Sequence, residues 1–355
     1  MSRFFSDKYK SLVPYTPGEQ PRDMKYIKLN TNESPFPPSS KAIEAAAEAA
    51  KNLQLYSDPT CKELHEKLAE LYGVDTSMVI SGNGSDEVLN FAFMAFCDKD
   101  HPARFADITY GFYSVFAEIN NVLYKEIPLK EDFTIDVTDY LGKNETIFIA
   151  NPNAPTGIAL TLLEIEAIVK SNPNSVVVID EAYVDFGAES AVPLVKKYNN
   201  LLVTQTFSKS RSMAGARLGV AIGSPALIQD LNTIKYSTNP YNVNRMTMAA
   251  GIGVLSDEEY TQNNCKAIIE NREYAMNRMR KSGFTMTPSL TNFIFAKHEK
   301  ISGEKIYQEL RKNGILVRHF SKEKLDDYNR ITVGSYEQMK ILCDTLEEIT
   351  KKENV

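Results

Sequence analysis

Residues 175–180 read SVVVID, an unbroken apolar run that ends on an acidic residue. Similar runs are TIFIA at residues 146–150, LLVTQT at residues 201–206 and LGVAIG at residues 218–223. A helical pattern at residues 161–170 separates TIFIA from SVVVID. Continuous Val, Ile and Leu runs that alternate with helices are typical of strands buried on both faces in a mostly parallel sheet. These residues therefore predict an α/β domain with helices on both faces of its sheet.

The segments on either side of this region have different patterns. Residues 1–40 are rich in proline, which breaks helices, and they predict an arm that crosses a surface and joins a smaller domain. Residues 41–53 and 62–71 predict helices, because they are rich in strong helix formers. Beyond about residue 240, a mixture of helical and apolar stretches predicts a smaller α+β domain. These stretches are residues 257–281, 291–297, 303–312, 315–320, 330–333 and 337–351. We therefore expect an arm at residues 1–40, a large domain at residues 41–240 and a small domain at residues 241–355.

The composition limits the classes of function. The chain has 355 residues, enough for two domains, and its 43% hydrophobic and 24% charged residues are the balance of a globular protein. A formal net charge of −6 argues against a nucleic-acid partner, because such a partner requires a basic surface. Since no apolar run is long enough to span a membrane and the N-terminus is too polar for a signal peptide, we expect a cytoplasmic protein without a membrane partner.

The cysteines and histidines do not suggest a metal site. Cys61, Cys97, Cys265 and Cys343 are far apart and include no CxxC pair, and the four histidines lack HExxH spacing. This pattern favours reduced thiols in a cytosolic protein, and it predicts neither a disulfide framework nor a bound metal.

Polar motifs follow the ends of the predicted strands. SGNGSDE at residues 81–87 has two glycines before a helix whose free N–H groups suit a phosphate, although a plain glycine turn fits the same residues. NPNAPTG at residues 151–157 follows TIFIA and is equally compatible with a rigid turn. DEAY at residues 180–183 starts with an aspartate that, at the end of a buried strand, needs a cationic partner or caps a helix.

A lysine follows the third of these strands. Lys209 lies among hydroxyl side chains in TFSKS, and Arg217 follows eight residues later. Lys209 is 29 residues beyond Asp180, which is close to the roughly 30 residues of one strand–helix–strand unit. Both residues are therefore predicted to reach the same ligand, because ligands of such sheets bind beyond the carboxyl ends of the strands.

Taken in order, NPNAPTG, DEAY and SK with a downstream Gly-x-Arg resemble the motifs of fold-type I pyridoxal-phosphate aminotransferases. The resemblance extends from about residue 29 to the end of the chain, and further stretches are similar to the histidinol-phosphate aminotransferase branch. These are LNTNESPFPP (29–38), YSDP (56–59), SGNGSDE (81–87), TYGFYS (109–114), GILVRHF (314–320) and RITVGS (330–335). The resemblance implies a large domain with a mostly parallel seven-stranded sheet, a smaller α+β domain, and pyridoxal 5′-phosphate as cofactor.

The same resemblance implies roles for the matching residues. Lys209 would hold the cofactor as a Schiff base and, once released by substrate, would move the proton between the substrate and the cofactor. Asp180 would keep the pyridine nitrogen protonated, Tyr183 would bind the ring hydroxyl, and Tyr110 would stack on the ring. Further cofactor contacts, mainly to its phosphate, would come from Gly84, Ser85, Asp86, Thr206, Ser208 and Arg217.

One position departs from the family pattern. The asparagine that usually precedes Pro-Thr-Gly and touches the ring hydroxyl is Ala154 here. Asn153 lies one residue earlier and would point differently, so the sequence leaves open whether Asn153 or Tyr183 replaces that contact.

The resemblance also implies substrates and a partner. Tyr56 matches a tyrosine that reaches the cofactor phosphate of the neighbouring subunit, which implies a homodimer with shared active sites. Four residues match positions that handle the substrate: Tyr15, Asn32, Arg318 and Arg330. Without the resemblance, either arginine would be interpreted as part of a surface salt bridge.

The implied reaction is the interconversion of L-histidinol phosphate and 2-oxoglutarate with imidazole-acetol phosphate and L-glutamate in histidine biosynthesis. Threonine-phosphate decarboxylase and aromatic amino-acid aminotransferase on the same fold are alternatives. A non-catalytic binding or regulatory protein is disfavoured, because both Lys209 and Asp180 are present.

Overall fold

A computed structural model describes residues 2–353. The strands in those residues are β1 (Ile27–Lys28), β2 (Val79–Asn83), β3 (Ala103–Ala106), β4 (Tyr124–Ile127), β5 (Thr146–Ala150), β6 (Val177–Asp180), β7 (Leu201–Thr206), β8 (Leu218–Gly223), β9 (Phe284–Met286), β10 (Phe293–His298), β11 (Ile315–Leu316), β12 (Arg318–His319) and β13 (Asn329–Thr332). The α-helices are α1 (Ser40–Ala50), α2 (Lys62–Tyr72), α3 (Ser85–Phe96), α4 (Phe112–Asn120), α5 (Leu162–Ser171), α6 (Pro225–Thr238), α7 (Arg245–Leu255), α8 (Glu258–Lys281), α9 (Gly303–Lys312) and α10 (Tyr336–Glu353).

The largest sheet has seven strands in the order β2-β8-β7-β6-β5-β3-β4. All pairs from β7 to β4 are parallel, whereas β8 is antiparallel to both of its neighbours. The predicted mostly parallel seven-stranded sheet is therefore confirmed. The parallel strands end at one edge of the sheet, and this edge carries Ala150, Asp180 and Thr206.

Alternate residues of the central strands pack into two separate cores. In β6, Val177 and Ile179 belong to a core that includes residues of α1, α2, α5 and α7. Val178, between them, belongs to a second core with residues of α3, α4 and α6. Because both faces of the strand are covered, an uninterrupted apolar run is what this position requires.

The predicted elements agree closely with the observed ones. The strands predicted at residues 146–150, 201–206 and 218–223 have those bounds as β5, β7 and β8. The helix predicted from residue 161 begins one residue later, because Thr161 is its N-cap. Thr161 and Glu164 form a capping box, in which each side chain accepts a hydrogen bond from the other residue's backbone N–H.

A smaller antiparallel sheet, in the order β12-β13-β10-β9, packs with α8, α9 and α10 around its own core. The apolar run predicted at residues 315–320 is divided between two sheets: β11 pairs in parallel with β1 of the arm, and β12 pairs with β13. Main-chain hydrogen bonds thus join the arm to β11, and the Thr332 N–H of β13 donates to the Leu29 carbonyl of the arm.

The division of the chain into domains at residues 40 and 240 stays a prediction. Val243, Ala250 and Val254 lie beyond residue 240, yet they belong to the core beneath the large sheet. No helix in residues 2–353 has the length and apolar character needed to cross a membrane.

Candidate active site

Two adjoining cavities lie beyond the carboxyl ends of the parallel strands. The inner cavity, about 370 Å³, is lined by predicted cofactor residues, among them Ser85, Asp86, Asp180, Thr206, Ser208 and Arg217. The outer cavity, about 510 Å³, is lined by the predicted substrate residues Tyr15, Asn32, Arg318 and Arg330. Five residues line both cavities: Thr31, Tyr110, Ala154, Tyr183 and Lys209.

Asp180 forms the inner wall, where it is almost fully buried, with 4% of its surface exposed. Strand pairing sets it beside Thr204, whose hydroxyl donates to Oδ1 at 3.3 Å, and Tyr113 donates to Oδ2 at 3.0 Å. Burial raises the pKa of Asp180 to about 6, and the nearby charge of Asp86 adds to this increase. The carboxylate therefore has hydroxyl donors, but no cation of residues 2–353 lies within salt-bridge distance of it, and it favours a positively charged ligand.

Lys209 lies between the two cavities. Its Nζ atom donates a hydrogen bond to the Thr31 carbonyl at 3.4 Å and lies 5.7 Å from the centre of the Tyr183 ring. A long hydrogen bond to a backbone carbonyl leaves the amine free to react with a ligand, since such a bond is weak.

Tyr183 is fixed at the boundary of the cavities by its ring and its hydroxyl. The ring packs edge-on against Phe293 with 5.1 Å between centres. The hydroxyl accepts a hydrogen bond from Asn32 Nδ2 at 2.9 Å. Asn32, which was predicted to touch the substrate, therefore holds a tyrosine of the site.

The start of α3 and Arg217 form a cradle suited to an anion. Gly84 is the N-cap of α3 at φ 84°, and no side chain caps the helix there. A Cβ atom at Gly84 would lie 2.5 Å from Arg217 Nη2, so glycine keeps this side of the cradle open. Free N–H groups at a helix N-terminus together with a guanidinium are a favourable setting for a phosphate.

The cradle residues are hydrogen-bonded to one another. Arg217 Nη2 donates to Asp86 Oδ2 at 2.9 Å, and Tyr110 donates to Asp86 Oδ1 at 2.6 Å. Thr206 and Ser208 are joined by a hydroxyl–hydroxyl bond of 3.0 Å. Asp86 thus orients both the guanidinium and the aromatic ring that lines the inner cavity.

Asn153 has its amide occupied by neighbouring protein groups. Oδ1 accepts from the Thr109 hydroxyl at 2.7 Å, and Nδ2 donates to the Ile108 carbonyl at 2.9 Å and to Thr156 at 3.1 Å. Ala154 lines both cavities instead. These bonds hold the 108–109 turn and argue against the predicted cofactor role of Asn153, which stays an untested prediction.

The outer cavity has two arginines with different partners. Arg330 donates from Nη2 to the Asn30 carbonyl at 3.2 Å, its guanidinium lies 5.4 Å from the Phe293 ring centre, and its enclosed Nε has no partner among residues 2–353. Burial lowers the pKa of Arg330. Arg318 donates to the carbonyls of Thr16 and Pro17, at 3.3 and 3.5 Å, and so holds the arm.

Tyr15 and Tyr56 are the aromatic residues predicted to complete the site. Tyr15 packs on Phe112 with 4.4 Å between ring centres and lines the outer cavity. Tyr56 is 80% exposed, stacks on Tyr241 at 4.7 Å, and lies outside the linings of both cavities as residues 2–353 define them. Its predicted contact with a cofactor phosphate therefore requires another subunit.

Three supporting residues were missed by the sequence reasoning: Tyr113, Thr204 and Thr332. Tyr113 lies within TYGFYS and Thr332 within RITVGS, so the motifs contained them without indicating their role. Thr204 could have been found from strand register, because it is two residues before the predicted Thr206 and points to the same face.

Comparisons with known proteins identify the family of the chain. Residues 24–346 match the family model of aminotransferase class I and II. The chain belongs to this family. The histidinol-phosphate aminotransferase of Brachyspira hyodysenteriae is 49% identical over 353 residues, covering 99% of this chain and 100% of that protein. That of Clostridium acetobutylicum is 47% identical, covering 98% and 99%.

A solved structure shows the fold of the family over almost the whole length. The histidinol-phosphate aminotransferase of Sinorhizobium meliloti, in complex with pyridoxal-5′-phosphate, superposes with a TM-score of 0.90 at 24% identity and covers 99% of each chain. The fold-type I architecture expected from the sequence is therefore confirmed.

Proposed function

We propose that this aminotransferase uses pyridoxal 5′-phosphate to interconvert L-histidinol phosphate and 2-oxoglutarate with imidazole-acetol phosphate and L-glutamate in histidine biosynthesis. The observation that carries the proposal is that Lys209 lines both cavities, while Asp180 and Arg217 line the inner one and Arg330 the outer one. A relative with the histidinol-phosphate aminotransferase name matches end to end at 49% identity, which supports this substrate.

The residues of the inner cavity fit the cofactor. The α3 N-terminus and Arg217 suit its phosphate, and the buried Asp180 suits a protonated pyridine nitrogen because it has hydroxyl donors around it but needs a positive charge. When bound, the cofactor supplies an electron sink for the carbon that loses its proton. Tyr110 would lie against the ring, with its hydroxyl held by Asp86.

Lys209 would first bind the cofactor and later act as the base. Its amine lies at the boundary between the cavities, 5.7 Å from the Tyr183 ring centre, and the bond that holds it is a long one of 3.4 Å. From this position it can reach both the inner ligand and a substrate in the outer cavity. Proton transfer by a positioned side chain contributes about 10²- to 10⁴-fold to a rate.

The outer cavity would bind the phosphate of the substrate. Arg330 has an unpaired, enclosed Nε and a single backbone partner, so an anion would satisfy a donor that the protein leaves without one among residues 2–353. Planar guanidinium donors match phosphate and carboxylate geometry. The same arginine therefore suits the phosphate in one half-reaction and the glutamate carboxylate in the other.

Borohydride trapping tests the cofactor assignment. The purified protein should show the absorption band of a cofactor bound to lysine. Reduction should fix the cofactor on the peptide that contains Lys209, and mass spectrometry identifies that peptide. Lys322→Ala is a matched control, because Lys322 also lines the outer cavity and should leave the labelling unchanged. Labelling of another lysine contradicts the proposal.

A coupled assay tests the substrate. Histidinol phosphate with 2-oxoglutarate should be turned over far better than histidinol, which lacks the phosphate. Equal use of histidinol, or a preference for phenylalanine, would replace the proposal by an aromatic amino-acid aminotransferase. Release of carbon dioxide from threonine phosphate would instead indicate the decarboxylase.

We also infer a cytoplasmic homodimer with shared sites. An 80% exposed tyrosine beside the exposed Leu53 and Leu55 favours burial against another chain. Buried free cysteines at all four positions suit the reducing cytoplasm.

Mixing Tyr56→Phe with Lys209→Ala should partly restore activity, because one site of the heterodimer then carries both defects and the other none. Proven subunit exchange without recovery contradicts shared sites.

A further inference from the structure

Two buried residues, Asn32 and Thr332, form a chain of hydrogen bonds that ends on the hydroxyl of Tyr183. The Asn32 backbone N–H donates to Thr332 Oγ1 at 2.9 Å, and that hydroxyl donates to Asn32 Oδ1 at 3.1 Å. Asn32 Nδ2 then donates to Tyr183 Oη at 2.9 Å. Asn32 and Thr332 are 1% and 2% exposed, so water does not compete for the two bonds between them, while Tyr183 is half-buried.

The hydrogen bonds give an order of donors and acceptors along this chain. Since the Thr332 hydroxyl accepts from a backbone N–H, which can only donate, its own proton is available for the amide oxygen of Asn32. With the amide oxygen bonded to the Thr332 proton, the amide nitrogen of Asn32 faces Tyr183. An amide nitrogen can only donate, so Tyr183 Oη is the acceptor of this bond and keeps its own proton for another partner.

The backbone of Asn32 is held in a conformation that few residues adopt. Its φ is 56°, in the left-handed region, and the Asn292 amide donates to its carbonyl at 3.0 Å. Asparagine tolerates this region better than most residues, and such a conformation persists only where surrounding bonds maintain it. The position thus aims the side-chain amide at Tyr183.

We propose that Asn32 is a positioning residue. By donating a hydrogen bond to the Tyr183 oxygen, it leaves the Tyr183 proton to be donated to the ring oxygen of the cofactor. This proposal rests on the proposed function. Asn32 would orient the Tyr183 hydroxyl. Ala154, which lies at the same boundary of the cavities, has only a methyl group and cannot form a hydrogen bond with its side chain.

The proposal predicts a spectroscopic change. A hydrogen bond donated to the ring oxygen favours its deprotonated form and lowers the pKa at which the lysine-bound cofactor changes its absorbance. Tyr183→Phe removes that bond and should raise this pKa by about 1 to 2 units. Asn32→Ala weakens or misdirects the bond and should raise it by at least about 0.3 unit.

Asn32→Asp is the sharpest variant, because it keeps the shape and reverses the bond. The new carboxylate can only accept, so it would draw the Tyr183 proton away from the ring oxygen. The upward shift of the absorbance pKa should then be at least as large as that of Tyr183→Phe. Asparagine and aspartate both tolerate the left-handed backbone, so folding should be retained.

Thr332 provides a second route that leaves Asn32 intact. Thr332→Val removes the hydroxyl that fixes the amide and should also raise the absorbance pKa, whereas Thr332→Ser keeps the hydroxyl and should match the wild type. Each holoenzyme is titrated by absorbance, and circular dichroism verifies its fold. This pair distinguishes loss of the hydrogen bond from a general loss of packing.

The decisive measurement repeats Asn32→Ala in a Tyr183→Phe background. If Asn32 acts through Tyr183, the second substitution should change the absorbance pKa by less than about 0.2 unit. An equal shift in both backgrounds, or no shift with Tyr183 present, overturns the proposal. A wild-type protein in which borohydride fails to label Lys209 would instead overturn the proposed function.

Discussion

Asp180, buried at the inner end of the cleft, and Arg330, half-buried at its outer end, are both ionisable side chains, but their neighbours satisfy them differently. Asp180 receives hydrogen bonds from Tyr113 and Thr204. Arg330 has one backbone carbonyl, two aromatic neighbours and an enclosed Nε without a partner among residues 2–353. The inner end is thus already organised by the protein, whereas the outer end keeps a guanidinium donor available for a ligand.

This difference follows from the elements that carry each residue. Asp180 ends a central strand, and the pairing of β6 with β7 sets Thr204 beside it without any movement of the protein. Arg330 lies on the small sheet and faces a cavity that the arm covers with Tyr15. A permanently bound cofactor needs a preorganised site, while substrates that alternate need donors that can exchange partners.

Asp180→Asn should have the largest effect, because the proposed pyridinium loses a buried counter-charge. Removing one partner of a buried ion pair costs about 3–5 kcal/mol, so kcat/KM should fall by at least about 10²-fold. Steady-state kinetics with saturating cofactor measures the loss. The exposed Asp185→Asn is the matched control and should retain activity. A less than tenfold loss would mean that Asp180 does not face the pyridine nitrogen.

The same substitution should stabilise the cofactor-free protein. The pKa of Asp180 is raised from 3.8 to about 6 in the folded protein, so folding favours the protonated carboxyl. The stability that this carboxyl contributes is therefore fully present below pH 3.8 and is lost as the pH rises through 6. Asp180→Asn removes a cost of up to about 3 kcal/mol above pH 6. Thermal unfolding should show a higher Tm than wild type at pH 7.5 and little difference at pH 4. A difference independent of pH would contradict the burial of a charged carboxylate.

The sequence predicted the inner end better than the outer end. Asp180, Thr206 and Lys209 follow apolar runs whose bounds are easily recognised, and parallel strands necessarily bring their ends together. The role of Asn32 could not be predicted, because its partners Tyr183 and Thr332 are 151 and 300 residues away. Asn153 was predicted to contact the cofactor from its place in a local motif. Its hydrogen bonds from Thr109 and to Ile108 could not be predicted in this way, because they depend on tertiary packing.

Arg330→Ala should have a smaller effect, confined to the outer cavity. Loss of one charge-assisted contact costs about 1.5–3 kcal/mol, which corresponds to roughly 10- to 150-fold in kcat/KM for histidinol phosphate. The glutamate half-reaction should suffer too, whereas cofactor absorbance and the poor use of bare histidinol should barely change. Arg330→Lys should recover little, since an ammonium lacks the planar donor fork. Loss of the cofactor in Arg330→Ala would show that the two ends are not independent.

Arg318→Ala should have the smallest effect, because Arg318 already has exposed hydrogen bonds to the arm. Its guanidinium donates to the Thr16 and Pro17 carbonyls, and a phosphate would have to compete with them. Exposed contacts of this kind contribute about 1 kcal/mol or less, so kcat/KM should fall by no more than about fivefold. The loss should appear in KM, since looser closure of Tyr15 over the outer cavity weakens binding without moving Lys209. If Arg318→Ala were as damaging as Arg330→Ala, both arginines would bind the anion directly, and the arm contacts seen here would be those of a cleft that rearranges when substrate enters.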